Sequence, residues 1–265
     1  MTVYDLYQLI PNFEELCDIY YDKWEYFMDQ ILVPRMGFVK FGHYHPDLVK
    51  QTLYEDRLKG MRIRPDKIII DDAHHDLSCQ KMVQLFEDFF GVYVTRMFNF
   101  APQWERVRNA LLDHEVGENE IGDWTDDKTS DRDLKDRLEL EAYERYLEGF
   151  PREAKNAHRD EFILVQQGDN ITKCFDKTEF ILMQGWCRKY RIEGSMAYKN
   201  GVWHLSEQDK HYRDLTDSDR PVDNLFAHFL DITRGIPTQP FFVGIIESMY
   251  RKRFGEVPET VRKLY

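Results

Sequence analysis

The sequence predicts an all-α fold. Apolar residues recur every three or four positions over long stretches, the period of a helix with one buried face. Proline or glycine punctuates many of the boundaries between those stretches. The one segment that reads as strand is a short hairpin around Lys199 to Trp203, turning on Asn200-Gly201.

In order along the chain, residues 2–33 read as helical. Phe13, Leu16, Ile19, Tyr20, Trp24, Phe27 and Ile31 form one stripe, with Pro11 at the start of the main helix and Pro34 as its stop. The stripe reads as core rather than as a base-stacking surface. The loop Phe41 to Pro46 carries His43 and His45 at a spacing that could bind a metal, but no carboxylate or cysteine partner is fixed nearby. Residues 46–59 read as a short helix ending near Gly60. Arg62, Arg64 and Lys67 then form a small basic patch, suited through the arginine forks to holding a phosphate.

A helix starts at about Asp72. Leu77, Met82, Val83, Leu85, Phe86, Phe89 and Phe90 make its apolar face, and Gly91 is the expected end. The next helix is expected from Ala101 or Pro102 to Val116, buried through Trp104, Val107, Ala110 and Leu111. Its end turns abruptly polar in Asp113-His114-Glu115, Glu118 and Glu120, and closes on Gly122-Asp123. Residues 131–149 read as a charged surface helix with a narrow stripe of Leu134, Leu138, Ala142, Tyr143 and Tyr146. A long helix is expected from about Asp160 to Arg191. Asp169 interrupts its apolar side, and a carboxylate there is costly unless it is paired or binds a metal. After a loop region from Gly194 to Asp219, helices at about 221–234 and 239–254 finish the reading.

A chain of 265 residues can bury one sizeable core, or one core and a small appendage. The net charge of −12 argues against wrapping duplex nucleic acid, which needs a basic face, but not against a small phosphate ester carried with a metal ion. The four cysteines, Cys17, Cys79, Cys174 and Cys187, are far apart and read as reduced core thiols of a cytoplasmic protein. No membrane-spanning run or secretory leader is apparent. Phosphate loops of the GxxxxGK[ST] and GxGxxG types and the GxSxG elbow are absent.

Three segments supply metal-type ligands in the order His75, then His114-Glu115, then Asp169. That order resembles the HD-domain metal-dependent phosphohydrolases, and within them the 5′-deoxynucleotidase branch. Asp71-Asp72-Ala73-His74-His75 is similar to the family's first-histidine segment. Leu112-Asp113-His114-Glu115, with Glu118 and Gly122-Asp123 following, has the offsets of the central motif. Leu164-Val165-Gln166-Gln167-Gly168-Asp169 is similar to the last motif. The resemblance covers roughly residues 60–190. One position departs from it: the family's eponymous pair is His-Asp, and here it is His114-Glu115, with a side chain one methylene longer.

The resemblance implies an HD-domain-like helical core at 59–192, a helical extension at 1–58, and a loop with further helices at 193–265 packed on that core. The extensions could cover the site, build a homodimer or select a substrate. His75, His114, Glu115 and Asp169 would hold one divalent cation, which would polarise a phosphoryl oxygen and acidify a water; Mn²⁺, Co²⁺, Mg²⁺, Zn²⁺ and Fe²⁺ all suit such mixed ligands. Glu118 would orient or deprotonate the water, Asp123 would serve the leaving oxygen or brace Glu118, and Arg62 or Arg64 would neutralise phosphate charge. The substrate implied is a nucleotide, foremost a deoxynucleoside 5′-monophosphate. A dNTP triphosphohydrolase, a degenerate nucleotide-binding regulator and a di-iron oxygenase are the alternatives. The oxygenase needs additional histidines, and only His158 falls between the central pair and Asp169.

Overall fold

The computed structural model describes residues 1–32, 72–99, 101–112, 114, 132–166, 171–189, 196–199, 202–205 and 221–265. Among them the fold is all-α, with ten helices and one hairpin. The N-terminal pair is α1 (Val3–Leu9) and α2 (Phe13–Leu32). α3 (Asp72–Phe98) and α4 (Trp104–Ala110) follow, then α5 (Arg132–Tyr146), α6 (Arg152–Gln166) and α7 (Ile171–Lys189). The hairpin is β1 (Met196–Lys199) with β2 (Val202–Leu205), and α8 (Pro221–Ile232), α9 (Gln239–Phe254) and α10 (Glu259–Arg262) close the chain. The hairpin is antiparallel with Lys199 opposite Val202, which leaves Asn200-Gly201 as its two-residue connection. No helix among the described residues is long and apolar enough to cross a membrane.

Local chemistry explains the boundaries. Thr2 and Asp5 cap α1 reciprocally, the Asp5 carboxylate accepting from the Thr2 amide at 2.6 Å. The break at Pro11 separates α1 from α2, with Asn12 in the left-handed region at φ 57°.

Three expected boundaries are corrected. Gly91 does not end α3, which continues to Phe98. Burial of Val94, with Met97 and Phe98 packed against the core, outweighs the roughly 1 kcal/mol that a mid-helix glycine costs. The helix stops at Asn99, whose φ of 49° is the left-handed residue that the expectation had assigned to glycine. α4 spans Trp104–Ala110 rather than reaching Val116; Leu111, Leu112 and His114 are in turn conformation. The single helix expected from Asp160 to Arg191 is instead α6, starting at Arg152, and α7, starting at Ile171, with residues 167–170 outside the described set. Two side chains placed on buried stripes, Ile19 and Leu77, are exposed. The helix expected at 46–59 and the His43/His45 pair lie outside the described residues.

One apolar core draws on α1, α2, α3, α4, α7, α8 and α9. α2 is integral to it. Trp24 Nε1 donates to Ser78 Oγ at 2.8 Å, and the Tyr20 hydroxyl donates to the Met82 carbonyl at 2.9 Å, tying α2 to the first half of α3. α9 packs along α2, with Arg251 paired to Asp18 at 2.8 Å and Lys252 to Asp22 at 2.5 Å along the seam, and Arg253 paired to Glu25. A smaller cluster of Tyr143, Leu147 and Phe162 joins α5 to α6, Tyr143 and Phe162 stacking at 4.3 Å. Cys17, Cys79 and Cys174 are buried free thiols, as their spacing suggested.

Gly244 on α9 lets that helix approach α2 closely. A β-carbon there would meet the Phe13 ring at 2.7 Å and Cys17 Sγ at 3.0 Å. Both neighbours are fully buried, so the clash cannot relax into solvent. Gly244→Ala is therefore expected to destabilise the fold by about 1–3 kcal/mol, despite alanine's better helix propensity. A lower urea midpoint at unchanged m-value checks this.

Candidate metal centre

Three elements converge on one buried cluster. α3 contributes His75 from its first turns, beside Ser78 and Cys79, which bury that end of the helix against α2. The turn after α4 contributes His114. Val107, Ala110 and Leu111 anchor that turn in the core, and the His114 imidazole is buried with them. α7 contributes Asp176, next to the buried Phe175, which packs edge-on against Phe86 of α3 at 5.3 Å. His75, His114 and Asp176 are 7 %, 6 % and 7 % exposed, and their ligand atoms all lie within 4.8 Å of one another.

Hydrogen bonding decides what this cluster can hold. His75 Nδ1 lies 2.6 Å from Glu179 Oε2, a carboxylate that can only accept, so Nδ1 carries the proton. His114 Nδ1 lies 3.1 Å from the Leu111 carbonyl oxygen, again only an acceptor, with Asp76 Oδ1 at 3.4 Å. In their neutral forms both rings then turn an Nε2 lone pair to the interior. Those two nitrogens are 3.1 Å apart. Two facing lone pairs at that distance repel unless a cation lies between or beside them. Asp176 Oδ1 is 3.4 Å from one Nε2 and 4.0 Å from the other, and it is a buried oxygen with no hydrogen-bond partner.

The two nitrogens are spaced for a divalent ion, while Asp176 Oδ1, 4.0 Å from His114 Nε2, would have to draw closer to join them. Two nitrogens each about 2.0–2.1 Å from a zinc-sized ion are about 2.9 Å apart at a right angle and about 3.4 Å apart at a tetrahedral angle. The observed separation of 3.1 Å falls between these limits. Two imidazoles and a carboxylate are borderline and hard ligands, consistent with the ions expected from the sequence.

The electrostatics agree. Burial opposes a charge on His75, but the adjacent Cys79 sulfur, Glu179 and Asp176 outweigh it and raise its affinity for a second proton well above the ordinary value. Burial pushes the Cys79 thiol up to about 12, so it is neutral where a histidine titrates, and the two carboxylates are what favour the cation. Burial would also raise Asp176, yet Lys177, whose Nζ is 3.0 Å from Oδ2, and the two imidazoles hold it well below the usual carboxylate range. The buried His75, His114 and Asp176 group could hold a metal ion.

Of the residues singled out from the sequence, His75 and His114 are brought together. Glu115, Asp169, Glu118, Asp123, Arg62 and Arg64 lie outside the described residues. Two members of the cluster, Asp176 and Glu179, were not selected from the sequence. The signal was available in principle, since both acids lie between Phe175 and Phe180 on a helix with an apolar face, and the cost of burying a carboxylate applies to each. Comparison with protein-family models, with curated proteins and with solved structures found no significant match to this chain.

Proposed function

We propose that this chain is a metal-dependent phosphohydrolase acting on nucleotides, removing the 5′-phosphate from (deoxy)nucleoside monophosphates. The observation that carries the reading is the pair of Nε2 nitrogens 3.1 Å apart, each with its Nδ1 proton committed elsewhere, beside the buried Asp176 Oδ1, which lies 3.4 Å from one of them. When bound, a divalent cation there supplies Lewis acidity toward a phosphoryl oxygen and a water. His75, His114 and Asp176 would hold it, with Glu115 and Asp169 as the further ligands drawn from the sequence. Glu118 would take the proton of the attacking water and Asp123 would serve the leaving oxygen. Arg62 or Arg64 would bind the phosphate and offset the charge that grows on it. The ordering His75, His114, acid supports membership of the HD-domain class, as does the all-α fold.

Glu115 in place of the family aspartate favours a second reading, a nucleotide-binding regulator that does not hydrolyse. A dNTP triphosphohydrolase differs from the leading reading only in substrate. One assay separates these readings. Purified full-length chain is incubated with dNMPs and dNTPs in Mn²⁺ or Co²⁺, and released phosphate and triphosphate are measured. Phosphate from dNMPs, abolished by chelator, is the expected result. Triphosphate from dNTPs would shift the substrate class. Nucleotide binding with no release under any metal would overturn the hydrolase reading and leave the regulator.

A further inference from the structure

We propose that Glu179 is a positioning residue for the metal site, fixing His75 as an Nε2 ligand and supplying a charge matched to a divalent ion. The proposal rests on the metal-site reading above and extends it to a residue that would not itself bind the ion but holds one that would.

Asp176 and Glu179 are three residues apart on α7, so they share one helix face about one turn apart. Asp176 presents its oxygen to the two Nε2 nitrogens, while Glu179 meets the opposite edge of the His75 ring at Nδ1, 2.6 Å away. One helix face therefore delivers both a candidate ligand and the acceptor behind a second ligand. An acceptor on Nδ1 of a metal-binding histidine fixes its tautomer and orientation and makes the metal-facing nitrogen more basic. The Phe180 ring, set against the His75 ring with centroids 5.4 Å apart, limits the imidazole's remaining freedom.

The charge on Glu179 needs explaining as much as its geometry. The side chain is 1 % exposed, and its second oxygen, Oε1, is buried without a hydrogen-bond partner. A hydrogen bond to Nδ1 alone could be made by a neutral glutamine of the same shape at lower desolvation cost. Two carboxylates, Asp176 and Glu179, flank one pair of imidazoles, so a divalent ion held there would face two matching negative charges. Glu179 is suited to that loaded state.

The test is a titration of Co²⁺ into metal-stripped, full-length protein, followed by the visible spectrum of the bound ion. Wild type and Glu179→Gln are compared, with Glu179→Asp as the charge-keeping variant. Glu179→Gln is expected to weaken Co²⁺ binding by about 10–100-fold, the usual effect of removing an outer-shell partner, with the same spectrum at saturation. Its metal-free thermal midpoint is expected to equal or exceed that of wild type. Glu179→Asp is expected to fall between the two in affinity. Equal Co²⁺ affinity in wild type and Glu179→Gln overturns the proposal, and a lower metal-free midpoint beside that equal affinity assigns Glu179 a purely structural role. Failure of wild type itself to bind Co²⁺ removes the metal reading, and the proposal with it.

Discussion

His114→Ala is expected to abolish divalent-metal binding and, with it, phosphate release. The imidazole supplies one of two nitrogens set 3.1 Å apart. Alanine leaves one nitrogen and one carboxylate oxygen among the described ligands, too few to hold a zinc-sized ion tightly. Affinity is expected to fall by more than the roughly 10–100-fold typical of an outer-shell change. The effect on the metal-free fold is expected to be about 1–2 kcal/mol, from loss of the hydrogen bond to Leu111 and of the contacts to Asp76, Asp176 and His75. The two effects can be separated by thermal melts with and without metal. At a free metal concentration of about 100 times Kd, binding stabilises a folded protein by about 2.7 kcal/mol. Wild type should show a metal-dependent rise in Tm, and His114→Ala should not. A variant that loses stability without metal yet keeps the metal-dependent rise would assign His114 to packing.

Phe86→Ala is expected to be the most destabilising single truncation in the core, at about 3–5 kcal/mol. The ring is fully buried on α3 and stacks on Phe242 of α9 at 4.7 Å and 11°. It meets Phe175 of α7 edge-on at 5.3 Å and also touches Phe90, Trp104 and Phe241. Helices α3, α4, α7 and α9 therefore lose a common partner at once, and the ring planes around the void cannot close it without leaving their own edge-to-face contacts. Urea unfolding measures the cost. A loss below about 1.5 kcal/mol would mean that the site collapses freely and that this aromatic cluster is not the keystone of the packing. The same change is expected to loosen the metal site, since Phe175 precedes Asp176 and Phe86 is what braces it against the helix carrying His75.

Much of this was legible in one dimension. The period of Phe13, Tyr20 and Trp24 identified α2 and its buried face, because burial against a single core leaves a 3.6-residue signature. His75 and His114 were legible as a pair because histidines beside acids at helix ends are unusual in a core. The ends of helices were less legible. Gly91 reads as a stop only if tertiary packing is ignored, and Val94, Met97 and Phe98 carry the helix past it. Asp176 and Glu179 were not legible because their role depends on which face of α7 meets α3. The motif match at Asp169 drew attention seven residues earlier, to a position outside the described residues. The Nδ1 partners that commit both imidazoles, a glutamate from α7 and a carbonyl from the preceding turn, exist only once the chain is folded.

Anomalous diffraction from crystals of the full-length protein loaded with Co²⁺ or Zn²⁺ tests the metal centre most directly. One ion per chain, held by His75 Nε2, His114 Nε2 and an Asp176 oxygen, is the expected result. An ion bound away from the two histidines, or crystals that take up none while the His75–His114 pair stays closed, would contradict it.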